Sequence, residues 1–381
     1  MLTLVGLKIS LPALPYLEHA FNVSEVAIRG SVAAFFFAFG SGQIVWGAVS
    51  DAIGRKKPLL IGLCISCGGT IIVLCSHSIE IYVLGRCLEG FGLASISPIA
   101  RAMMFESRPL DTATKQLGTI SMICALIPAI AQITGGYLMA FAGWRWIFAT
   151  FLMLVAIAVV WVFARLDETL DVSQEKPEHV LKALRKILPS KTFWKWGIAY
   201  MACTGTLFGY YAAMPYWYII DLGYKPYVYP YLACFNVTAF IIGVVASQKL
   251  SRTRPIESLV PIGLVIAAIP GLIVLVADFF TMTPLSTVIV IVSSTCVLAF
   301  TAGLVFSGSN KIACEPFPKS RAVASAVMVL CLFVISGVMA FVAGGVDVTH
   351  FQIVGLVLLA LPTLGIMIHF GVKDNAYSNK Q

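Results

Sequence analysis

The sequence predicts an all-α membrane protein with twelve transmembrane helices in two six-helix bundles. Three observations carry that reading: a composition too apolar for a soluble fold, twelve apolar runs of near-spanning length, and basic residues concentrated in alternate loops. Of the 381 residues, 59% are hydrophobic and 12% are charged, about half the roughly 25% of an ordinary soluble domain. Mean hydropathy is +0.91. The 26 basic and 18 acidic residues are too few to cover a soluble surface, and the same apolar excess excludes intrinsic disorder. A spanning helix needs about 20 apolar residues, so twelve use roughly 240 and leave roughly 140 for loops and ends. That excludes a large extramembrane domain and a soluble enzyme held by one anchor. The net charge of +8 would suggest nucleic acid in a soluble protein. Here the lipid bilayer is the expected partner, no nucleic acid is expected, and the placement of the charges matters more than their sum.

In chain order the apolar runs fall at about 2–18, 26–49, 58–75, 80–104, 117–140, 144–164, 194–219, 227–247, 258–278, 285–308, 322–345 and 350–372. The first contains Lys8, Pro12 and Pro15. It lacks the basic n-region and the clear small-residue cleavage site of a signal peptide. It reads as a first helix shortened at its start, as a late start site would leave it.

Orientation follows from the loops. One alternate set holds Arg55, Lys56, Lys57, Arg101, Arg108, Lys115, Arg165, Lys176, Lys182, Arg185, Lys186, Lys191, Lys195, Lys249, Arg252, Arg254, Lys311, Lys319, Arg321, Lys373 and Lys380. The opposite set holds only Arg29, Arg145 and Lys225. Lys and Arg accumulate in cytoplasmic loops. Both termini are therefore expected in the cytoplasm of a bacterial-type inner membrane, which requires an even number of spans.

The longest polar stretch, about 166–192, separates an N-terminal bundle at 1–165 from a C-terminal bundle at 193–381. Within it Val180, Leu181, Leu184, Ile187 and Leu188 have helical spacing, which predicts a cytoplasmic surface helix. A short internal repeat joins the halves. Ser50-Asp51-Ala-Ile-Gly54-Arg55-Lys56-Lys57-Pro58 follows the second run, and Ser247-Gln-Lys249-Leu-Ser-Arg252-Thr-Arg254-Pro255 follows the eighth. Ser, Pro and two basic positions recur at a constant offset, as a six-plus-six duplication requires.

Signatures of enzymes and pumps are absent from the sequence: there is no GxxxxGK(S/T), no HExxH and no GxSxG. No enzyme activity, cofactor or metal is expected. Five histidines are scattered without ligand spacing, and the CxxC of Cys64 and Cys67 lies inside an apolar run with no second pair nearby. The ten cysteines read as small buried apolar residues.

The most specific motif is Gly47-Ala-Val-Ser50-Asp51-Ala-Ile-Gly54-Arg55-Lys56. Gly47 permits close helix approach and Gly54 a tight turn. Asp51 suits a helix N-terminus or a basic partner, and Arg55 can hold a carboxylate bidentately. A plain positive-inside turn is the alternative. The string resembles the loop signature of the major facilitator superfamily, G-x-x-(S/A)-D-x-x-G-R-(K/R). Arg86-Cys-Leu-Glu89-Gly90-Phe-Gly92-Leu-Ala94 resembles the same superfamily's fourth-helix signature, with Glu89 where Gln is usual. A basic residue at mid-helix costs roughly 2.5–3.5 kcal/mol on insertion scales, so Arg86 needs a partner, and Glu89 at i+3 can supply it. Either the two neutralise each other or they belong to the transport path. Pro128-Ala-Ile-Ala-Gln132-Ile-Thr-Gly135-Gly136 resembles the antiporter signature G-P-x-x-G-G, with Ala131 and Gln132 in place of its first Gly and Pro. Gly135 and Gly136 suit close helix packing.

Leu11-Pro-Ala-Leu-Pro15, Gly143-Trp-Arg-Trp-Ile-Phe148, Glu168-Thr-Leu170, Asn236, Ser309-Asn310 and Glu315-Pro-Phe-Pro318 together resemble the Bcr/CflA-type drug-efflux branch. The resemblance runs from about residue 7 to 340. It implies the major facilitator fold, alternating access between two bundles, and proton-driven export of small amphiphilic compounds. Uptake or export of a specific metabolite or siderophore is the alternative on the same fold. It also implies that Asp51 approaches the start of the eleventh helix near Arg321 in the outward-open state. Two departures stand out. Lys8 replaces an acidic residue usual in the branch, which favours an anionic substrate. Ala102 replaces the Asp that usually follows the Arg matched by Arg101, which removes the expected partner of Arg55. Lys8, Arg86 and Glu89 are the transport and coupling candidates, with Glu89 the only carboxylate deep in the membrane. Either Glu89 carries the coupling proton, or it stays a fixed counter-ion while Lys8 titrates or binds an anion. Tyr210, Tyr211 and Asn236 are candidates for a substrate cavity, the two tyrosines reading equally as an interfacial belt. Tyr216, Trp217 and Tyr218 read as such a belt.

Overall fold

A computed structural model describes residues 2–107, 110–169, 180–251, 253–280, 283–317, 320–343 and 350–371. Arg108, Leu170, Lys176, Arg252, Pro318, Lys319, Lys373 and Lys380, named above, lie outside them. The regular elements among the described residues are all helical, without strands. In order they form α1 (Leu2–Lys8), a 3-10 turn (Leu11–Ala13), α2 (Leu14–Phe21), α3 (Glu25–Ile53), α4 (Lys56–Leu74), α5 (Ile79–Leu93), α6 (Ile96–Glu106), α7 (Leu110–Phe141) and α8 (Trp144–Arg165). Then come α9 (Val180–Ile187), α10 (Lys191–Pro215), a π-helical turn (Tyr216–Asp221), α11 (Tyr229–Leu250), α12 (Ile256–Ile266), α13 (Ile269–Ala277), α14 (Pro284–Cys314), α15 (Arg321–Ala343) and α16 (Phe351–Gly371). The described parts of all twelve apolar runs form helices. Among the described residues, eight segments are long and apolar enough to cross a membrane by length and composition, one of them made of α12 and α13 together.

Three runs expected as single helices are broken, and prolines place the breaks. The first run stops at Lys8 and resumes as α2, the fourth divides between α5 and α6, and the ninth divides between α12 and α13. Pro12, Pro98 and Pro270 stand four residues after Lys8, Ala94 and Ile266. A proline cannot donate to the carbonyl four residues back, and its ring collides with it. Elsewhere helix starts are capped by the expected side chains. Ser190 accepts from Phe193 N–H at the start of α10, and Thr283 with Ser286 forms a capping box at α14.

By contact the chain forms two compact units. Met1–Pro177 with Tyr224–Tyr231 make one, and Glu178–Gly223 with Leu232–Gln381 make the other. The first unit holds six of the apolar runs, α1 to α8. In it α5 is pressed between α3 and α4. A Cβ added at Gly69 of α4 would stand 2.5 Å from the Glu89 N and 2.7 Å from the Gly85 O of α5, so backbone meets backbone there and no larger residue fits without displacement. The second unit holds the other six runs. Its first span, α10, packs against α14, α15 and α16, and all but a few residues of α10 from Phe193 to Pro215 are buried. The surface helix expected at Val180 to Leu188 is α9, which turns Ala183 and Ile187 fully inward.

The cysteines correct one expectation. Only Cys203 and Cys314 are buried, while Cys64 and Cys75 are exposed on the outside of α4 and at its end. Lipid-facing positions are as apolar as core positions, so composition does not separate them.

Candidate functional site

The loop between α3 and α4 is a charged knot. Gly54 ends α3 with φ of 97°, a conformation that favours glycine. Arg55, 6% exposed, then turns its guanidinium under the end of α3. It donates to Asp51 Oδ1 and, at 2.9 Å, to Ser50 Oγ. Its Nη2 meets Glu106 Oε1 at 2.6 Å and its Nε the same oxygen at 3.0 Å. Burial works against the Arg55 charge, but Glu106 and Asp51 more than offset it and hold its pKa above the usual arginine value. Glu168, just past α8, accepts from the backbone N–H groups of Arg55 at 2.7 Å and Lys56 at 3.1 Å. A carboxylate there satisfies orphan donors at the positive end of α4. Thr169 Oγ1 lies 2.8 Å from Glu106 Oε2. Gly47 lies one turn before Asp51 on α3, and a Cβ there would meet nothing within 4 Å; the close approach expected at Gly47 is absent among the described residues.

Glu106 overturns the expectation that Arg55 has lost its acidic partner. It lies four residues beyond Ala102 on α6, one helical turn along the same face. That spacing is the signal in the sequence that finds it.

The second constellation is buried in the first unit. Arg86 Nη1 donates to Glu89 Oε1 at 2.7 Å, one turn apart on α5. The guanidinium lies over the ring of Phe35, 4.1 Å from its centroid, with Phe148 on another side at 5.5 Å. Glu89 is fully buried, and its Oε2 has no hydrogen-bond partner among the described residues. No other acidic side chain among the described residues is buried as a whole. Lys8, at the end of α1, is 3% exposed. Thus Lys8, Arg86 and Glu89 all point into the protein. Gln132 of α7 is 1% exposed, and neither its Oε1 nor its Nε2 is paired among the described residues. Pro128 lies one turn before it, inside α7. Gly135 packs on the Ile9 carbonyl, in the break after Lys8, and Gly136 packs on the Pro226 carbonyl.

In the second unit Asn236 Nδ2 approaches Tyr210 Oη at 3.5 Å, and Tyr210 Oη lies 3.3 Å from Tyr218 Oη. Tyr211 stands beside Tyr210, with ring centroids 5.8 Å apart. All four residues are buried. Tyr216 to Tyr218 are therefore not an interfacial belt: their exposures are 3%, 1% and 0%. The π-helical turn over Tyr216–Asp221 follows Pro215 directly, and its wider winding changes which side each residue presents.

A family model described as the Major Facilitator Superfamily matches residues 1–341. The chain belongs to the major facilitator superfamily. It is a multi-pass membrane transporter of that fold, in which the loop signature at Gly47 to Lys56 covers the end of α3 and the turn into α4. The chain is 26% identical to the uncharacterized MFS-type transporter YdgK of Bacillus subtilis, over 98% of this chain and 93% of the relative. It is 24% identical to a bicyclomycin resistance protein homolog of Haemophilus influenzae, over 71% of this chain and 69% of the relative. It is 23% identical to multidrug resistance protein D of Escherichia coli, over 94% and 90%. The two resistance relatives agree with the drug-efflux branch that the motifs resemble. Among solved structures, a bacterial homolog of the human lysosomal transporter Spinster, inward-facing and unoccupied, superposes with a TM-score of 0.73. It does so at 15% identity over 97% of this chain and 93% of that one, which supports the fold alone.

Proposed function

We propose that this transporter exports small amphiphilic compounds across the cytoplasmic membrane by proton-coupled alternating access, with both termini in the cytoplasm. The observation that carries the reading is Glu89, a fully buried carboxylate with one oxygen on Arg86 and the other without a hydrogen-bond partner among the described residues. A proton-coupled carrier needs a group that takes up and releases a proton inside the protein. Arginine does not deprotonate under any working condition, so Arg86 is the fixed charge and Glu89 the group that changes. The resistance relatives support efflux, and the concentration of basic residues in alternate loops supports the orientation.

The buried Lys8 favours an anionic substrate group, or a proton site of its own if Glu89 remains ionised beside Arg86. Tyr210, Tyr211 and Asn236, buried in the second unit in this structure, would line the substrate path with aromatic and amide groups in a conformation that opens them. The test is direct transport in proteoliposomes with an imposed proton gradient of either sign. Accumulation driven by a gradient in the export sense supports the reading. Transport of a single metabolite or siderophore in the opposite sense, with no resistance substrate moved, replaces it.

A further inference from the structure

Among the described residues, α9, at the start of the second unit, has one face packed on protein and two that are exposed. Ala183 and Ile187 of α9 are fully buried, and α9 packs on α15. Leu181 and Leu188, seven residues apart and hence on one flank, are 66% and 49% exposed. Lys182, Arg185 and Lys186 occupy the remaining face and are all exposed. Only Leu188 to Ser190 separate α9 from α10, the first span of the unit, and three residues reach about 10 Å at most. Trp194, in the first turn of α10, donates its indole N–H to the Leu188 carbonyl at 2.7 Å, which fixes the end of α9 to the start of the span. Tryptophan concentrates at membrane interfaces.

A helix held at that depth, with an apolar flank beside a basic face, has the pattern of a helix lying in the interface. Its leucines dip to the acyl boundary and its cations meet headgroup phosphates. We propose that α9 is an interfacial helix whose Lys182, Arg185 and Lys186 face binds anionic phospholipid headgroups. The proposal rests on the multi-pass reading and on the charge-derived orientation, since basic loops face the anionic cytoplasmic leaflet.

The test uses the full chain in nanodiscs, where both leaflets are open and sidedness does not enter. An environment-sensitive fluorescent residue replaces Leu181, and a second preparation carries it at Ile157, a lipid-facing position on α8 that is 58% exposed. Quenching is measured with acrylamide in water and with brominated phosphatidylglycerol or brominated phosphatidylcholine in the disc. The expected result is lipid quenching at Leu181 that exceeds acrylamide quenching and is several-fold stronger with phosphatidylglycerol. The triple variant Lys182→Gln, Arg185→Gln, Lys186→Gln removes that preference, because the attraction to an anionic surface comes from those charges, while Ile157 shows no preference in either protein. Acrylamide quenching without lipid quenching at Leu181 would overturn the proposal, as would equal quenching by the two lipids or a preference that survives the triple variant. None of these readouts depends on transport, so failure here and failure of the efflux reading are separate results.

Discussion

Glu106 holds Arg55 through two guanidinium nitrogens, Nη2 at 2.6 Å and Nε at 3.0 Å, from one helical turn beyond the position where the superfamily's motif carries its Asp. The acidic partner has moved along α6 without leaving the face it serves. Arg55 is buried, so its charge needs that partner, and removing one side of such a pair is more costly than the pair is stabilising.

Glu106→Gln is therefore expected to leave the protein inserted but to lower its stability by about 1–3 kcal/mol, read as a fall in midpoint temperature in detergent. Placing the acid back at the usual position, Ala102→Asp in the Glu106→Gln background, is expected to recover at least half of that loss. No recovery would mean that Arg55 is oriented for Glu106 alone.

Asp51 accepts from Arg55 on the other side of the same guanidinium. Asp51→Asn is expected to reduce transport turnover at least about tenfold, a barrier change of about 1.4 kcal/mol, with insertion and quantity in the membrane unchanged. Unchanged turnover would reduce the loop to a topogenic signal.

The carrier helix α5 depends on glycine at its crossing with α4. Gly69→Ala puts a methyl group 2.5 Å from the Glu89 N and is expected to cost roughly 1–3 kcal/mol through overpacking. Gly68→Ala, with nothing within 4 Å of its Cβ, is the matched control and is expected to leave stability and transport unchanged. Thermal midpoints of the two variants decide it.

Much of this was legible in the sequence because the bilayer restricts the menu of structures: an apolar run must be a helix. The breaks at Lys8, Ala94 and Ile266 were equally legible in principle, since each lies four residues before a proline, but hydropathy alone merges the pieces. Arg86 and Glu89 were readable as a pair from their i+3 spacing. Glu106 is hidden by the motif itself, because position 102 taken in isolation ignores its neighbour one turn away. Tyr216 to Tyr218 mislead because a π-helical turn has no composition of its own. Exposed Cys64 and buried Cys203 are indistinguishable in sequence, since lipid and core ask for the same chemistry.

The central claim is that Glu89 carries the coupling proton, and Glu89→Gln tests it most directly. The substitution keeps the size and a hydrogen-bonding group beside Arg86 and removes the ability to titrate. Purified variant and parent are compared in proteoliposomes for substrate accumulation under an imposed proton gradient, and for exchange with no gradient. Loss of gradient-driven accumulation with exchange retained is the result predicted. Accumulation against a concentration gradient with undiminished dependence on the proton gradient would contradict the assignment and move the coupling site to Lys8, with Lys8→Ala as the variant to measure.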